Sequence, residues 1–388
     1  MQLATGTFSI LFLLIEIVFI AFVEIEIIPK GQDFDYFNKP CATFDKRYGY
    51  RYLGDCRTVR VTSGEVEFDN VFKVNRQGFV SSHDFSYRKT DSVAERLLVF
   101  GDSFSSGIFL NKTWPDFVQE LLNAKGIKTE LYNFSIGGGG IMNWHQTFFS
   151  EVDTAYEYDG IVLAIFGDNL NRDFFIEHSG DSGIGYSGYF PTVPADELDF
   201  RRNFLLKMKK EVAYKSDEWL TGYVKGNTGI RLPGSRFLDF AYSRLQSGIK
   251  INSYEAIVRK WESDYFGIAP GSLDWDRMVA KYGRKKVDLL EEMIGHCKRK
   301  GKTVILASVP NRSGLKTNIQ GNKSVSQREM ELISEKFDLP LWDGYEAFRD
   351  IEESNLDEYY FKYDGHWKQK GSDRFAIYFS SLYARNPE

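Results

Sequence analysis

The clearest pattern along the chain is an alternation of short continuous apolar runs with amphipathic stretches, beginning near residue 96. Leu97-Leu98-Val99-Phe100 is apolar throughout and stops at Gly101, as expected of a strand buried on both faces. Thr113-x-x-Asp116, with Pro115 in the first turn, predicts a helix start, and the amphipathic stretch 117–124 continues it. A second strand is expected at Glu130-Leu131-Tyr132 and a third over residues 161–166. A helix is expected over about 287–300, and a fourth strand at 303–307 that Pro310 ends. A short fifth strand at 339–342 and a closing helix over 372–383 complete the series. Strands alternating with helices predict an α/β fold with a doubly wound, flavodoxin-like and mostly parallel five-stranded sheet between helices. In such folds ligands bind beyond the carboxyl ends of the strands.

Three segments break this rhythm. Residues 30–95 carry short alternating runs such as Val59-Arg60-Val61 and Val66-Glu67-Phe68 and read as an irregular β-containing lead-in. Between about 176 and 275 the alternation is lost among glycine turns, a basic run and scattered aromatics, so this stretch reads as a large insertion or lid in the domain spanning 96–388, or equally as a membrane-facing or oligomer-contacting flap. From Phe8 to Val23 thirteen of sixteen residues are Leu, Ile, Phe or Val, and Glu16 is the only charge. Each such residue favours insertion by roughly 0.3–0.6 kcal/mol and a central charge opposes it by about 2.5–3.5 kcal/mol, so insertion prevails. No Lys or Arg precedes the run and no small-x-small site follows it, which argues against a cleaved signal peptide. Residues 1–29 are therefore read as an N-terminal transmembrane anchor of a single-pass membrane protein, with a buried core helix as the alternative. The free amino group and Lys30 nearly balance, so charge does not decide the orientation, and the main domain is expected outside the cytoplasm.

Composition narrows the functional classes. In 388 residues, 49 Lys and Arg face 54 Asp and Glu, a net charge of −5 that disfavours a nucleic-acid-binding surface. Aromatic residues make up 16%, enough for a large core and for stacking on flat ligands or sugar rings. The three cysteines include no C-x-x-C pair, which argues against a structural zinc site. Cys41 and Cys56 frame a short loop whose closure by a disulfide would stabilise by about 3 kcal/mol and imply an oxidising compartment; unpaired thiols are the alternative.

Four segments carry candidate chemistry. Gly101-Asp102-Ser103 follows the first buried strand directly, where a tight turn would expose a nucleophilic hydroxyl; an ordinary turn is the competing reading. Asn133-Phe-Ser-Ile-Gly-Gly-Gly-Gly140 follows the second strand and offers backbone amides to an anion, although neither phosphate-loop signature is present. Asn169, after the third strand, has an amide that could donate to a developing oxyanion. Before the last helix, Tyr363-Asp364-Gly365-His366-Trp367 offers His366 as a base near neutral pH. Asp364 would share its face if the segment is extended.

In this order the four segments resemble the SGNH, or GDSL, hydrolase superfamily of serine esterases and acyltransferases, over about residues 96–376. The resemblance places the nucleophile at Ser103 and the base at His366. It assigns the oxyanion hole to the Ser103 and Gly138 amides and the Asn169 side chain. Two positions depart from the family pattern: Leu170 stands where an Asp is usual, and Tyr363 stands where the His-orienting Asp commonly lies, leaving Asp364 as its substitute. Asp-x-His-Trp resembles the motif of alginate-acetylation-type members. The activity so implied is cleavage of O-acyl esters, O-acetyl groups of cell-surface glycans above all, without metal or organic cofactor. Acyl transfer to a glycan by the same triad, a lipid esterase and an inactive glycan-binding or assembly protein are the alternatives.

Overall fold

The computed structural model describes residues 34–39, 41–45, 49–54, 56–62, 65–170, 172, 213–214, 216–226, 273–362 and 364–385. The expected anchor and most of the expected insertion lie outside them. Among the described residues no helix is long and apolar enough to cross a membrane.

In chain order the strands are β1 (Phe34–Phe37), β2 (Ala42–Asp45), β3 (Gly49–Tyr52), β4 (Cys56–Thr62), β5 (Glu65–Phe72), β6 (Glu95–Phe100), β7 (Thr129–Asn133), β8 (Gly160–Ile165), β9 (Ala213–Tyr214), β10 (Thr303–Ser308) and β11 (Leu341–Asp343). The helices that matter here are α1 (Ser103–Ser106), α2 (Trp114–Ala124), α3 (Ile141–Thr147), α4 (Asp217–Gly226), α5 (Trp275–Tyr282), α6 (Arg284–Arg299), α7 (Arg312–Ile319), α8 (Val325–Phe337) and α9 (Gln369–Arg385).

The central sheet is five-stranded with order β11-β10-β8-β6-β7, and each neighbouring pair is parallel. Successive side chains on a strand point to opposite faces, so the apolar runs split between two cores. Leu98, Phe100, Ile161, Leu163 and Leu306 pack on one side with residues of α3, α6 and α8. Leu97, Val99, Val162, Ala164 and Ala307 pack on the other with α2 and α9. Thr113 caps α2 by accepting from the Asp116 amide, as the sequence predicts. The chain leaves β6 for β7 on one side and later returns to β8 on the other. This reversal opens a crevice at the carboxyl ends of β6, β7 and β8.

The lead-in is more regular than its sequence suggests. β5, β4, β1 and β9 form a second sheet in that order, and β2 pairs with β3 in an antiparallel hairpin. β9 and α4 come from within the expected insertion, so this part of it builds onto the lead-in sheet. Val59 and Val61 pack against Leu220 of α4, and Arg57 bonds Asp69 and Thr221. Cys56 and Arg60, on the alternate positions of β4, face the central domain, where Cys56 joins the larger core. At the opposite end of the central sheet, fully buried Arg96 joins lead-in to domain. It bonds Glu130 at 2.7 Å and the carbonyls of Ser86 and Glu157, and it lies over the Tyr132 ring.

Cys41 and Cys56 are joined by a disulfide with 5.5 Å between Cα atoms, which encloses the β2–β3 hairpin. Loop closure over a separation of 15 residues is worth about 3 kcal/mol on the chain-entropy estimate. Cys297 is buried on α6, and burial pushes its thiol up to about 12. Ellman titration of the native, non-reduced protein is therefore expected to find no reactive thiol, and titration after unfolding in denaturant to find one per chain. Three thiols in the unfolded state would exclude the bridge, and a fast-reacting thiol in the native state would contradict the burial of Cys297.

Candidate active site

The turn after β6 is built to hold one hydroxyl at a strand tip. The Asp102 carboxylate accepts from the Phe104 amide at 3.0 Å and caps α1, so Ser103 is the first residue of a single helical turn. The turn is pinned from three sides. Trp144 Nε1 donates to the Gly101 carbonyl at 3.0 Å, Trp114 Nε1 to Ser105 Oγ at 3.0 Å, and Asn133 Nδ2 to the Ser105 carbonyl at 2.8 Å. Trp114, Trp144, Asn133 and Ser105 are completely buried, which leaves Ser103 little freedom to move with its backbone.

The loop before α9 brings His366 to this hydroxyl. Ser103 Oγ lies 2.7 Å from His366 Nε2, and His366 Nδ1 is hydrogen-bonded to Asp364 Oδ1. With Nδ1–H donating to the carboxylate, Nε2 is left to accept the serine proton. The segment is not extended, the condition under which strand alternation would put Asp364 and His366 on one face. Gly365 has φ of 79°, a left-handed conformation that a side chain disfavours. The resulting tight loop closes with bonds from the Gly365 amide to the Phe361 carbonyl at 3.1 Å and from the Phe361 amide to the His366 carbonyl at 2.8 Å. That turn, rather than strand alternation, sets Asp364 beside His366. Phe104 and Phe109 flank the imidazole at 4.8 and 4.6 Å between ring centroids, and Trp367 is fully buried against Phe375.

Asp364 is 3% exposed. Burial works against its ionised form, yet the charges of His366 and Arg60 outweigh it and hold the carboxyl well below the usual carboxylate range. Arg60 reaches Asp364 Oδ2 at 3.4 Å from β4.

The glycine run after β7 lies beside Ser103. A Cβ placed on Gly137 would stand 4.0 Å from Ser103 Cβ. Gly138 has φ of 75°, a second position where a turn requires left-handed backbone. Neither the Ser103 nor the Gly138 amide donates to another described residue, so both remain open to a ligand oxygen.

Asn169 sits at the end of β8 as the sequence indicates, but its side chain is committed. Its Nδ2 donates to Asp102 Oδ2 at 3.0 Å and to the Gly139 carbonyl at 2.9 Å, and its Oδ1 accepts from the Phe166 amide at 2.6 Å. Both amide hydrogens are thus used. In this arrangement Asn169 braces Asp102 and the glycine loop; donating to an oxyanion requires that one of those bonds be given up. Arg172 strengthens the same brace, reaching Asp102 Oδ2 at 3.0 Å. The structure therefore brings Ser103, Gly138, Asn169, Asp364 and His366 to one crevice. Tyr50, Tyr52, Arg60 and Arg172, which join them there, carry no local sequence signal.

The other histidines lie elsewhere among the described residues. His83 is 3.5 Å from Asp116, His145 2.8 Å from Glu292, and His296 2.9 Å from Asp153; His178 lies outside the described residues.

No family model matches this chain, and none of the curated proteins searched matches it. Solved structures similar to it include a lipase/acylhydrolase from Enterococcus faecalis, 14% identical, covering 76% of this chain and 98% of that one, with a TM-score of 0.33. A GDSL-like lipase from Bacteroides thetaiotaomicron is 11% identical, with 78% and 92% covered and a TM-score of 0.35. The acetyl xylan esterase AlAXEase is 12% identical, with 74% and 98% covered and a TM-score of 0.38. Lipases, acylhydrolases and esterases, GDSL-like ones among them, recur in these matches.

The lowered Asp364 carboxyl fixes the sign of one pH effect. A carboxylate depressed in the folded state stabilises fully above its unfolded pKa of roughly 3.9 and stops doing so as pH falls through its folded value. The stability difference between wild type and Asp364→Asn, from denaturant unfolding, is expected to move against the wild type as pH falls below about 4. A difference that moves in the wild type's favour between about pH 4 and pH 2 would contradict the charge pairing.

Proposed function

We propose that this chain is a serine esterase of the SGNH type that cleaves O-acyl esters through an acyl-enzyme. The observation that carries the reading is the 2.7 Å contact of Ser103 Oγ with His366 Nε2, whose other ring nitrogen is held by Asp364. His366 Nε2 takes the Ser103 proton while Oγ attacks the ester carbonyl carbon. The negative charge that develops on the carbonyl oxygen faces the Ser103 and Gly138 amides. His366 returns its proton to the leaving alcohol oxygen, and Asp364 stabilises the imidazolium in between. Water, deprotonated by the same nitrogen, then releases the acid and restores Ser103.

The substrate class we propose is O-acetyl esters of cell-surface glycans. Support comes from the Asp-x-His-Trp sequence and from the aromatic content of 16%. The apolar run at residues 8–23 supports a membrane tether, and the Cys41–Cys56 bridge supports an oxidising, extracytoplasmic setting.

Ser103→Ala is expected to lower kcat/KM for p-nitrophenyl acetate by at least about 10³-fold while leaving the thermal midpoint within a few degrees of wild type. Wild-type turnover by that variant would reject the nucleophile. Among esters, acetylated oligosaccharides are expected to exceed p-nitrophenyl palmitate in kcat/KM; the reverse order would make the enzyme a lipid esterase.

A further inference from the structure

We propose that the lead-in is one half of the active site: Tyr50, on the β2–β3 hairpin, positions the Gly138 amide, and Arg60, on β4, positions Asp364. The inference rests on the esterase reading above and assigns it two residues that lie outside the four segments.

The first contact is on the glycine loop. Tyr50 Oη donates to the Gly137 carbonyl at 2.9 Å, and Tyr52 Oη accepts from the Gly137 amide at 3.0 Å. The two hydroxyls are 3.1 Å apart, and Tyr52 Oη is also 3.4 Å from Ser106 Oγ. A peptide unit is planar and trans, so its C=O and N–H point in opposite directions; the described residues contain no cis bond. The Gly137 carbonyl and the Gly138 N–H belong to one such unit. Holding that carbonyl toward β3 therefore turns the Gly138 N–H away from β3, toward the side on which a substrate oxygen must lie. Gly138 has no side chain to restrain it and adopts a conformation that glycine leaves readily. An outside clamp is what keeps that donor aimed. Burial holds the Tyr52 hydroxyl well in its neutral form, so it remains a hydrogen-bonding partner over the working pH range.

The second contact is on the acid. Arg60 is the only cation facing Asp364 from outside its own loop among the described residues, at 3.4 Å, and the guanidinium is a quarter exposed while the carboxylate is nearly inaccessible. An uncompensated carboxylate in that position would gain by rotating toward water, away from His366. The cation keeps it in place without competing for Oδ1, the oxygen that His366 uses.

Both contacts come from one covalently tied unit. The Cys41–Cys56 bridge closes the hairpin that bears Tyr50 and Tyr52 onto the strand that bears Arg60. A single rigid piece thus touches the oxyanion side and the acid side of the site together.

The test uses the full chain carrying Tyr50→Phe, Arg60→Met, Arg60→Lys and, as the reference, Ser103→Ala, with p-nitrophenyl acetate as substrate. Tyr50→Phe and Arg60→Met are each expected to lower kcat by about 10-fold or more with KM within about twofold, because they disturb the Gly138 donor and the His366-bound carboxylate, both of which act in the transition state. Arg60→Lys, which keeps the charge, is expected to recover most of the Arg60→Met loss. If Arg60→Met does not fold, as judged by circular dichroism, Arg60→Gln takes its place. Wild-type kcat in Tyr50→Phe and Arg60→Met, with Ser103→Ala inactive, overturns this inference and leaves the esterase reading standing; so does a loss confined to thermal stability. Full activity in Ser103→Ala overturns the esterase reading and this inference with it.

Discussion

A hydrogen bond of 2.7 Å between Ser103 and His366 joins positions 263 residues apart, and the whole fold serves to make that distance possible. A hydroxyl and an imidazole on flexible segments would lose the contact to water. Here each is set on a short turn whose own backbone is satisfied. The serine turn is capped by Asp102 and pinned by two buried indoles, and the histidine loop closes on itself through Gly365. The parallel sheet order then brings the turn after β6, the glycine loop after β7 and the turn after β8 to one crevice. Pre-arranged donors of this kind are worth most where water is excluded and no reorganisation is needed.

Buried charge is the main cost of such a site, and it is met by pairing. Asp102 and Asp364 are both nearly inaccessible. Asp102 is held by Asn169 and Arg172, and Asp364 by His366 and Arg60. Each carboxylate thus pairs with a side chain from the sequence motifs and with one arginine drawn from outside them. Breaking a buried pair by removing one partner leaves an uncompensated charge, which is far more damaging than losing an exposed salt bridge.

Much of this was legible in the sequence, for physical reasons that differ from element to element. The runs at 97–100 and 161–166 are continuous because parallel strands are buried on both faces, and they announced β6 and β8 to within two residues. Ser103, Gly138 and Asn169 are legible as candidates because they follow strand ends, and His366 because a base near neutral pH is most simply a histidine. The geometry of Asp364 is not legible in the same way, because the left-handed Gly365 and not strand alternation sets it beside His366. The lead-in was underestimated because its strands take partners from distant sequence: β1 pairs with β9 across the expected insertion. Tyr50 and Arg60 were invisible for the same reason. Nothing next to either residue states that it meets Gly137 or Asp364, and long-range contacts of that kind leave no periodicity behind.

The most direct test of the central claim is covalent labelling of the nucleophile by a fluorophosphonate, with the modified residue located by mass spectrometry. The account predicts a single adduct on Ser103 in the native chain, and loss of that adduct in a folded His366→Ala variant, because the hydroxyl then has no base to take its proton. An adduct on another residue, or undiminished labelling of Ser103 without the imidazole, would contradict it.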